Sequence, residues 1–520
     1  MTYDYIVIGA GSAGCVIAAR LSERDDLNVL LLEAGGPDDL KEIHIPVMWG
    51  GLMQTPIDWA YVTTPQEHCS NRVFDMPRGK VYGGSSSINA MAYQRGNPAD
   101  YDGWAKLGNE GWAWDDVLPY FKKSQNQERG ESECHGVGGE LNIADFRDLN
   151  PLSIAFVEAA QEAGLPKNDD FNDGEQEGVG LFQVTQKDGM RHSAAVAFLH
   201  PALKRDNLTA IPFAMVTRLT FEGTRCTGAV YIKDGEEFRV TASKEVIVCG
   251  GAFNSPQLLL LSGIGDKKQL GSHGIEVVKD LPGVGHNLRD HMLVGVRYYC
   301  TQPVSGVDAQ TEDQIELFDT QRRGMLTSNG VEAGGFVKLK AESHAPELQF
   351  HFSISLGNLD DPDAHGFTLF PGIVTTKSIG YLELQSADPN DPPLINPNFL
   401  ADDHDMTVLV EGVKLARKIA GSSAFDEYRG AEYLPGVDVT SDEDIKTYIR
   451  EYASHIFHPV GTCKMGNDPM AVVNHRLQVH GVKGLRVADG SIMPFIVNAN
   501  TNAPCIMIGE KCAAMILGDD

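Results

Sequence analysis

Three glycines near the start of the chain have the spacing of a phosphate-binding turn. Gly9, Gly11 and Gly14 follow a short apolar segment rich in β-branched residues and precede residues that favour a helix. The first glycine permits a tight turn, the second lets a pyrophosphate approach the backbone, and the third allows the helix to pack closely. The helix N-terminus offers free N–H groups and a partial positive charge. The pattern predicts a dinucleotide site.

An acidic residue stands where such a site needs one. Glu33 ends a second apolar segment, 28–32, about 20 residues beyond the last glycine. Its carboxylate can accept hydrogen bonds from the hydroxyl groups of an adenosine ribose. An acid at this place favours a ribose without a phosphate, and therefore FAD or NAD over NADP. This strand–helix–strand unit does not choose between FAD and NAD.

His458 is the best candidate for proton transfer. It precedes Pro459 and a Gly-Thr turn, so its side chain is expected to be presented from a loop. An imidazole with a pKa near neutrality suits the removal of a proton from a hydroxyl group. His455, three residues earlier, is an alternative, since most of the sixteen histidines are expected to have structural roles.

The length, net charge and cysteine count of the chain exclude several classes of protein. A length of 520 residues predicts two or more domains, and the formal net charge of −28 opposes binding to nucleic acid or anionic membranes. Nine scattered cysteines without a CxxC pair predict neither a disulfide framework nor a metal site. No apolar run is long enough for a membrane span, and the first residues do not resemble a signal peptide. We therefore expect a cytoplasmic protein.

Helices and strands must hold these residues together. A helix is expected over 153–163, a second over 254–262 with Asn254 or Ser255 as its N-cap, and a last one over 503–516. The later strands follow one another without intervening helices, which favours an antiparallel sheet. Strands are expected over 208–219, 228–232, 238–242, 245–248, 347–355, 367–375 and 380–385.

Four motifs together resemble the glucose–methanol–choline (GMC) family of FAD-dependent oxidoreductases. After the glycine unit comes RGKVYGGSSSINAM at 78–91, and then GGAFNSPQLL at 250–259. The last motif joins FHPVGTCKMG at 457–466 to GLRVADGSIMP at 484–494. They occur in the family's order across nearly the whole chain. The chain is most similar to the branch of bacterial alcohol oxidases, choline dehydrogenases and hydroxymethylfurfural oxidases, and the resemblance implies FAD.

The resemblance also implies the fold class and the domains. It implies an α/β protein, α+β overall, with a Rossmann-type FAD-binding domain containing a parallel sheet. A substrate domain would contain an antiparallel sheet backed by helices. We expect the FAD-binding domain to be discontinuous, with residues 1–150, 196–295 and 455–520. Residues 151–195 and 296–454 would form the substrate domain.

Family motifs assign the site residues. His458 occupies the position of the family's catalytic histidine, and Asn500 that of its second catalytic residue, with Asn502 as the alternative. A carboxamide cannot act as a base, so His458 would accept the proton while Asn500 orients the oxygen. The helix after Asn500 would point its N-terminus at the flavin. The implied FAD-binding residues are Gly9, Gly11, Ser12, Ala13, Gly14, Glu33, Ala34, Val81, Gly84, Ser85, Asn89, Ala90, Met91, Val216, Asp489, Gly490, Asn500 and Thr501.

The implied function is oxidation of a primary alcohol to the aldehyde, with hydride transfer to flavin N5. Candidate pocket residues make an aryl or furanic alcohol the favoured substrate. Choline dehydrogenase activity, a hydroxynitrile lyase that keeps FAD without net redox, and a non-catalytic flavoprotein are the alternatives. The expected electron acceptor is oxygen or another compound. The expected oligomeric state is a monomer or dimer. The candidate pocket residues are Met91, Phe352, Phe370, Ile456 and Phe457.

One departure from some choline-oxidising relatives concerns the cofactor linkage. Those members attach FAD through a histidine in the glycine- and serine-rich motif, whereas this chain has Ile88 at the matching position. The substitution predicts that FAD is bound non-covalently.

Overall fold

The computed structural model describes residues 2–357 and 361–519. The first apolar segment forms the strand Thr2–Ile8, which leads into the helix Ser12–Leu21, and the second forms the strand Val29–Leu32. Both strands pair in parallel, and their central residues are buried. The predicted strand–helix–strand unit is therefore confirmed, with the glycine turn between its first two elements.

A seven-stranded sheet contains this unit. Its parallel pairs agree with the predicted Rossmann-type sheet, whereas the long hairpin strands at one side are antiparallel. The order across the sheet is Leu208–Ile211, Val29–Leu32, Thr2–Ile8, Glu236–Val248, Arg225–Lys233 and Met215–Glu222, with Leu485–Val487 also paired to Glu236–Val248.

The single strand expected over 208–219 is wrong, because the structure divides it at Pro212. Phe213 adopts a left-handed conformation with φ of +57°, and its N–H donates to the Gly35 carbonyl. The N–H of Ala214 donates to the Glu33 carbonyl. This bend brings the start of the next strand, with Val216, beside the acid that ends the second strand.

The last helix, Asn502–Leu517, lies against the first helix. A Cβ on Gly509 would lie 2.8 Å from the Ala13 carbonyl oxygen, so glycine permits this close approach. The buried Arg20 donates to both carboxylate oxygens of Glu510 at 2.9 and 2.7 Å. The Ser12 hydroxyl donates to Asn502 Oδ1 at 2.7 Å, so the two helix N-termini are adjacent.

The second large sheet is antiparallel, as predicted. Helices Asp403–Ala420 and Pro151–Glu162 share an apolar cluster with one of its faces, and the other face borders the cavity described below. The order across this sheet is Arg429–Leu434, Val296–Cys300, Gly366–Ile373, Leu348–Ser353, Ala333–Val337 and Gly178–Leu181, with Met292–Leu293 pairing both to Gly366–Ile373 and to Ser454–His455.

The helix expected over 254–262 begins earlier, at Gly251, and ends at Leu261. Asn254 and Ser255 therefore lie inside it, and neither is its N-cap. The Ser255 hydroxyl instead donates to Asp489 Oδ2 at 2.5 Å, which holds the GGAFNSPQLL motif against the C-terminal motif.

Aromatic side chains pack around two further helices. Trp104 and Trp112 are fully buried in and beside the helices Pro98–Lys106 and Trp114–Ser124. No helix of residues 2–357 or 361–519 is both long and apolar enough to cross a bilayer. The remaining α-helices are Lys41–His44, His200–Ala202, Lys267–Ser272, Glu312–Gln321 and Asp442–Tyr452, and the short strands include Tyr61–Val62, Asp75–Met76, Gln125–Gln127, Leu141–Ile143, Gln186–Lys187, Met190–Arg191, Ile264–Gly265, Lys279–Asp280, His286–Leu288, Gly380–Glu383 and Leu394–Asn396.

Candidate active site

The glycine turn has the geometry that the motif requires. Gly9 has φ of +99°, and a Cβ there would lie 2.5 Å from the Cys249 carbonyl oxygen. A Cβ on Gly14 would lie 1.9 Å from the Gly9 carbonyl oxygen, so only glycine allows the helix this close to the turn. Around Gly11, the nearest atom lies 4.0 Å from such a Cβ, which leaves room above the backbone.

The Glu33 carboxylate is buried beside this turn. Its Oε2 accepts the Ala10 N–H at 2.7 Å, and its Oε1 accepts the Gly35 N–H at 2.8 Å. Burial raises the pKa of Glu33, while these backbone donors act in the opposite direction. Each carboxylate oxygen keeps a further acceptor position, so binding of a ribose hydroxyl stays a prediction.

The glycine- and serine-rich segment covers the turn from the opposite side. A Cβ on Gly84 would lie 2.7 Å from the Gly11 Cα, so the two glycines set the distance between the segments. Met91 is held in a left-handed conformation with φ of +59°, and Asn89 Oδ1 accepts its N–H at 3.0 Å. The buried Arg191 donates to Asn89 Oδ1 at 2.8 Å. No motif in the sequence predicts Arg191 as part of this site.

One cavity of about 550 Å³ extends from the glycine turn to the antiparallel sheet. It brings together sixteen of the eighteen cofactor residues assigned from the motifs, together with His458. Gly14 and Val81 do not line it. Gly14 lies behind the turn, and Val81 is buried in a small apolar cluster with Ile43, Leu52 and Ile88.

The cavity wall fits a dinucleotide. Glycines at the turn expose backbone where side chains would fill the space, and Glu33 stands at one end. Within the described residues, neither the helix from Ser12 nor that from Asn502 has a side chain that caps its N-terminus. Both N-termini border the cavity, so their N–H groups and partial positive charges face the space a bound anion would take.

His458 and Asn500 lie side by side in this cavity. The distance between His458 Nε2 and Asn500 Nδ2 is 3.2 Å. Asn500 Oδ1 accepts a hydrogen bond from Gln349 Nε2 at 3.3 Å, which orients the carboxamide. Asn502, the alternative in the sequence, instead bonds Ser12. The structure thus places Asn500 rather than Asn502 beside the histidine.

The backbone around His458 is fixed by a buried carboxylate. Asp290 Oδ1 accepts the N–H of His458 at 2.8 Å, and its Oδ2 contacts His455 Nδ1 at 2.8 Å. His455 Nε2 contacts the Asp75 carbonyl at 2.8 Å, so both ring nitrogens of His455 are occupied. Phe457 has φ of +64°, a strained conformation that turns the chain immediately before His458. His455 therefore serves as a support for this loop.

The surroundings keep His458 neutral. Burial lowers its pKa well below the ordinary value, and the neighbouring His291, His351 and Arg78 lower it further. Burial also lowers the pKa values of His291 and His351 to about 4. A neutral imidazole has one ring nitrogen with a free lone pair, which is the form that can accept a proton.

Three polar residues near His458 were missed in the sequence. His291 Nδ1 lies 3.1 Å from His458 Nδ1, and His351 and Gln349 lie on the cavity side of the strand Leu348–Ser353. The alternation in ELQFHFSIS was a usable signal, because it separates Gln349 and His351 from the buried Phe350 and Phe352. No motif near His291 in the sequence predicts its place in the site.

The C-terminal motif anchors the cavity floor. Asp489 accepts the Gly251 N–H at 2.9 Å and the Ser491 N–H at 2.8 Å. Its side chain is therefore engaged by the protein, while Gly490 and Thr501 line the cavity beside it. Among the pocket candidates, Phe352 is wrong: it stacks on Phe156 on the opposite face of the sheet. The other four candidates line the cavity: Met91, Phe370, Ile456 and Phe457.

Comparisons with known proteins agree with this arrangement. The family models for GMC oxidoreductases match residues 3–293 and 376–509. An alcohol dehydrogenase [acceptor] of Pseudomonas putida is 44% identical over 99% of this chain and 96% of its own length. The mitochondrial choline dehydrogenase of Homo sapiens is 43% identical over 99% of this chain and 90% of its own length.

Solved structures give the same result. The crystal structure of pyridoxine 4-oxidase from Mesorbium loti superposes with a TM-score of 0.91 at 31% identity and covers 99% of both chains. The motifs, the fold and these similarities all point the same way. The chain belongs to the GMC family and is an FAD-dependent oxidoreductase that acts on CH–OH groups.

Proposed function

We propose that this enzyme oxidises a primary alcohol to the aldehyde, with His458 as the base and Asn500 as the residue that orients the substrate oxygen. The observation that supports this most directly is the 3.2 Å contact between the two side chains inside the cavity. The bound FAD supplies the two-electron acceptor for the hydride of the carbinol carbon. Proton removal and positioning are the work of the chain itself.

The proposed base requires one particular tautomer of His458. If the proton resides on Nδ1, it can be donated to His291 Nδ1, 3.1 Å away, and Nε2 keeps its lone pair beside Asn500. His291 must then carry its own proton on Nε2. Nε2 of His291 is buried and has no hydrogen-bond partner within the described residues. The proposed arrangement of protons therefore rests on the contact between the two Nδ1 atoms.

Asn500 is suited to positioning. Its oxygen accepts a hydrogen bond from Gln349, and its Nδ2 carries two protons and lies 3.2 Å from His458 Nε2. An alcohol oxygen that accepts one of these protons would replace the direct contact between the two side chains. Its own proton would then be directed at the lone pair on Nε2, which is the alignment that effective base catalysis needs.

The cavity favours an uncharged or anionic alcohol with an apolar body. Its outer wall includes Trp49, Val331, Phe370 and Ile456. Among the described residues that line it, Glu33 and Asp489 are the carboxylates, and the protein already donates hydrogen bonds to both. We therefore propose an aryl or furanic alcohol.

Choline is the second candidate. The human mitochondrial choline dehydrogenase is a close relative, and aromatic rings such as Phe370 can hold a quaternary ammonium group. A choline site here would have to rely on these rings, since the lining carboxylates lie with the cofactor residues.

The test is the anaerobic absorbance of the purified protein mixed with benzyl, furfuryl and aliphatic alcohols and with choline. We expect the flavin band to bleach, fastest with the aryl and furanic alcohols. Faster bleaching with choline would replace our substrate assignment. Bleaching by any alcohol contradicts a lyase or a non-catalytic flavoprotein, and the rate of recovery in air separates oxygen from another electron acceptor.

We further propose that FAD is held non-covalently. Ile88 borders the cavity and has no nucleophilic atom. Burial raises the pKa of the Cys505 thiol to about 12 and that of Cys249 well above its ordinary value, so neither cavity cysteine is a thiolate. Acid precipitation should leave the flavin in the supernatant. Flavin that stays with the precipitated protein would show a covalent bond.

The expected domain boundaries also stay a proposal. Two separate apolar clusters support them, one around the parallel sheet and one between the antiparallel sheet and its helices. We propose a cytoplasmic location, which the scattered cysteines without a CxxC pair support, and a monomer or dimer as the oligomeric state.

A further inference from the structure

Arg297 lies on the cavity side of the antiparallel sheet. It is opposite Thr368 in the sheet register, and Phe370, two residues along that strand, is opposite His351. Residues two apart on a strand share a face, so Arg297, Phe370 and His351 face the same side. All three line the cavity that contains His458.

The register also gives the length of this part of the cavity. Neighbouring strands are about 4.8 Å apart and each residue advances about 3.4 Å, so two strands and two residues separate the Cα atoms of Arg297 and His351 by about 12 Å. His351 is close enough to lower the pKa of His458, so it marks the reactive end. Arg297 marks the far end.

The guanidinium of Arg297 is incompletely paired. Its Nη1 donates to the Gly357 carbonyl at 2.6 Å. Its Nε is buried, lies beside Gly295 and Phe370, and has no hydrogen-bond partner. None of the carboxylates in residues 2–357 and 361–519 forms an ion pair with it, although acids outnumber bases by 71 to 43 in the chain.

The terminal amino groups of Arg297 are the donors that a ligand can reach. Nε is enclosed beside Gly295 and Phe370, whereas Nη1 and Nη2 lie at the end of a part-buried side chain on the cavity wall. A guanidinium binds a carboxylate through two such N–H groups, and the attraction between the two charges is stronger beside an apolar wall than in water. A cationic ligand would be repelled, and a neutral one would gain a hydrogen bond without the attraction between charges.

We propose that Arg297 binds an anionic group of the substrate, so that the preferred substrate is a primary alcohol bearing a carboxylate at the far end of an aromatic or furanic body. This inference rests on the proposed alcohol oxidation and specifies its substrate class. A rigid ring between the two groups matches the separation of His351 and Arg297 and the apolar wall between them.

The test compares 4-(hydroxymethyl)benzoate with 4-(hydroxymethyl)benzamide, which has nearly the same shape and no charge. Anaerobic flavin reduction is measured in the wild type, in Arg297→Met and in Arg297→Lys. We expect the wild type to favour the carboxylate at least tenfold in the ratio of reduction rate to dissociation constant. Arg297→Met should lower this preference to about one, with most of the loss on the carboxylate, and Arg297→Lys should keep part of it.

Arg239→Met is the matched control, because Arg239 is an exposed arginine on the long hairpin, outside the cavity. It removes the same charge and should keep the wild-type preference. A wild type that does not discriminate, or a preference that survives in Arg297→Met, would overturn the inference even if both compounds reduce the flavin.

A second measurement separates this inference from the proposed reaction. Binding of 4-methylbenzoate, which has no hydroxyl group, is followed through the flavin absorbance. We expect at least tenfold weaker binding in Arg297→Met than in the wild type. That result would support the anion site even if no alcohol reduced the flavin, in which case only the proposed reaction would be wrong. Equal binding by the two proteins would overturn the anion site.

Discussion

Replacing His458 by alanine should slow anaerobic reduction of the bound flavin by an alcohol about 10²- to 10⁴-fold, the range expected for loss of a general base. The reason is geometric. His458 Nε2 faces Asn500 in the cavity, and burial together with His291 and His351 holds the imidazole neutral. Stopped-flow absorbance of the purified variant measures the rate directly.

His458→Gln is the companion variant, because glutamine keeps the polarity and much of the volume of histidine but cannot act as a base near neutral pH. It should be nearly as slow as the alanine variant. His68→Ala, which removes an exposed histidine, should react like the wild type. An unchanged flavin spectrum and content confirm folding. If His458→Ala were reduced at the wild-type rate, another group would have to be the base.

Replacing His291 by phenylalanine should slow the same step about 10- to 100-fold, as expected for loss of a buried hydrogen bond worth about 1–3 kcal/mol. In the proposed tautomer, the Nδ1 proton of His458 is donated to His291 Nδ1, 3.1 Å away. Without it, that proton is left without a partner, and the tautomer with the lone pair on Nε2 is no longer favoured.

His291→Asn supplies the matched control, since the asparagine oxygen takes nearly the position of Nδ1 and can accept the same proton. We expect it to recover most of the rate that His291→Phe loses. A purely structural role predicts similar defects in both variants. Equal rates for phenylalanine and asparagine at position 291 would therefore contradict the role of His291 in setting the tautomer.

The cofactor-binding end of the site could be predicted from the sequence, because its residues are close together in the chain. Gly9, Gly11 and Gly14 act through backbone conformation and close approach within one strand–helix unit. The spacing of these glycines can therefore be recognised in the sequence. His458 could be located in the same way, because its motif is continuous.

The substrate end could not be predicted, because it depends on sheet register. His351 and Arg297 come to one cavity wall through the pairing of three strands far apart in sequence. The same pairing sends Phe352 to the opposite face and Phe370 into the cavity, although both are phenylalanines in apolar strands. His291 reaches His458 across 167 residues.

The start of the last helix separates the two candidate asparagines. Asn500 and Asn502 are equivalent in composition, but the last helix begins at Asn502 and directs that side chain to Ser12. Asn500, just before the helix, stays on the cavity side. Val81 lies in an apolar cluster rather than on the cavity wall, so a residue inside a cofactor motif can also pack the segment that carries its neighbours.

The most direct test of the proposed reaction is a single anaerobic turnover with benzyl alcohol and with its α,α-dideuterated form. The enzyme with its bound FAD is mixed with each alcohol in the absence of oxygen, and the flavin absorbance is followed. We predict that both alcohols bleach the flavin, that the deuterated one does so more slowly, and that benzaldehyde is the product. Unchanged absorbance, or equal rates for the two alcohols, would contradict hydride transfer from the carbinol carbon.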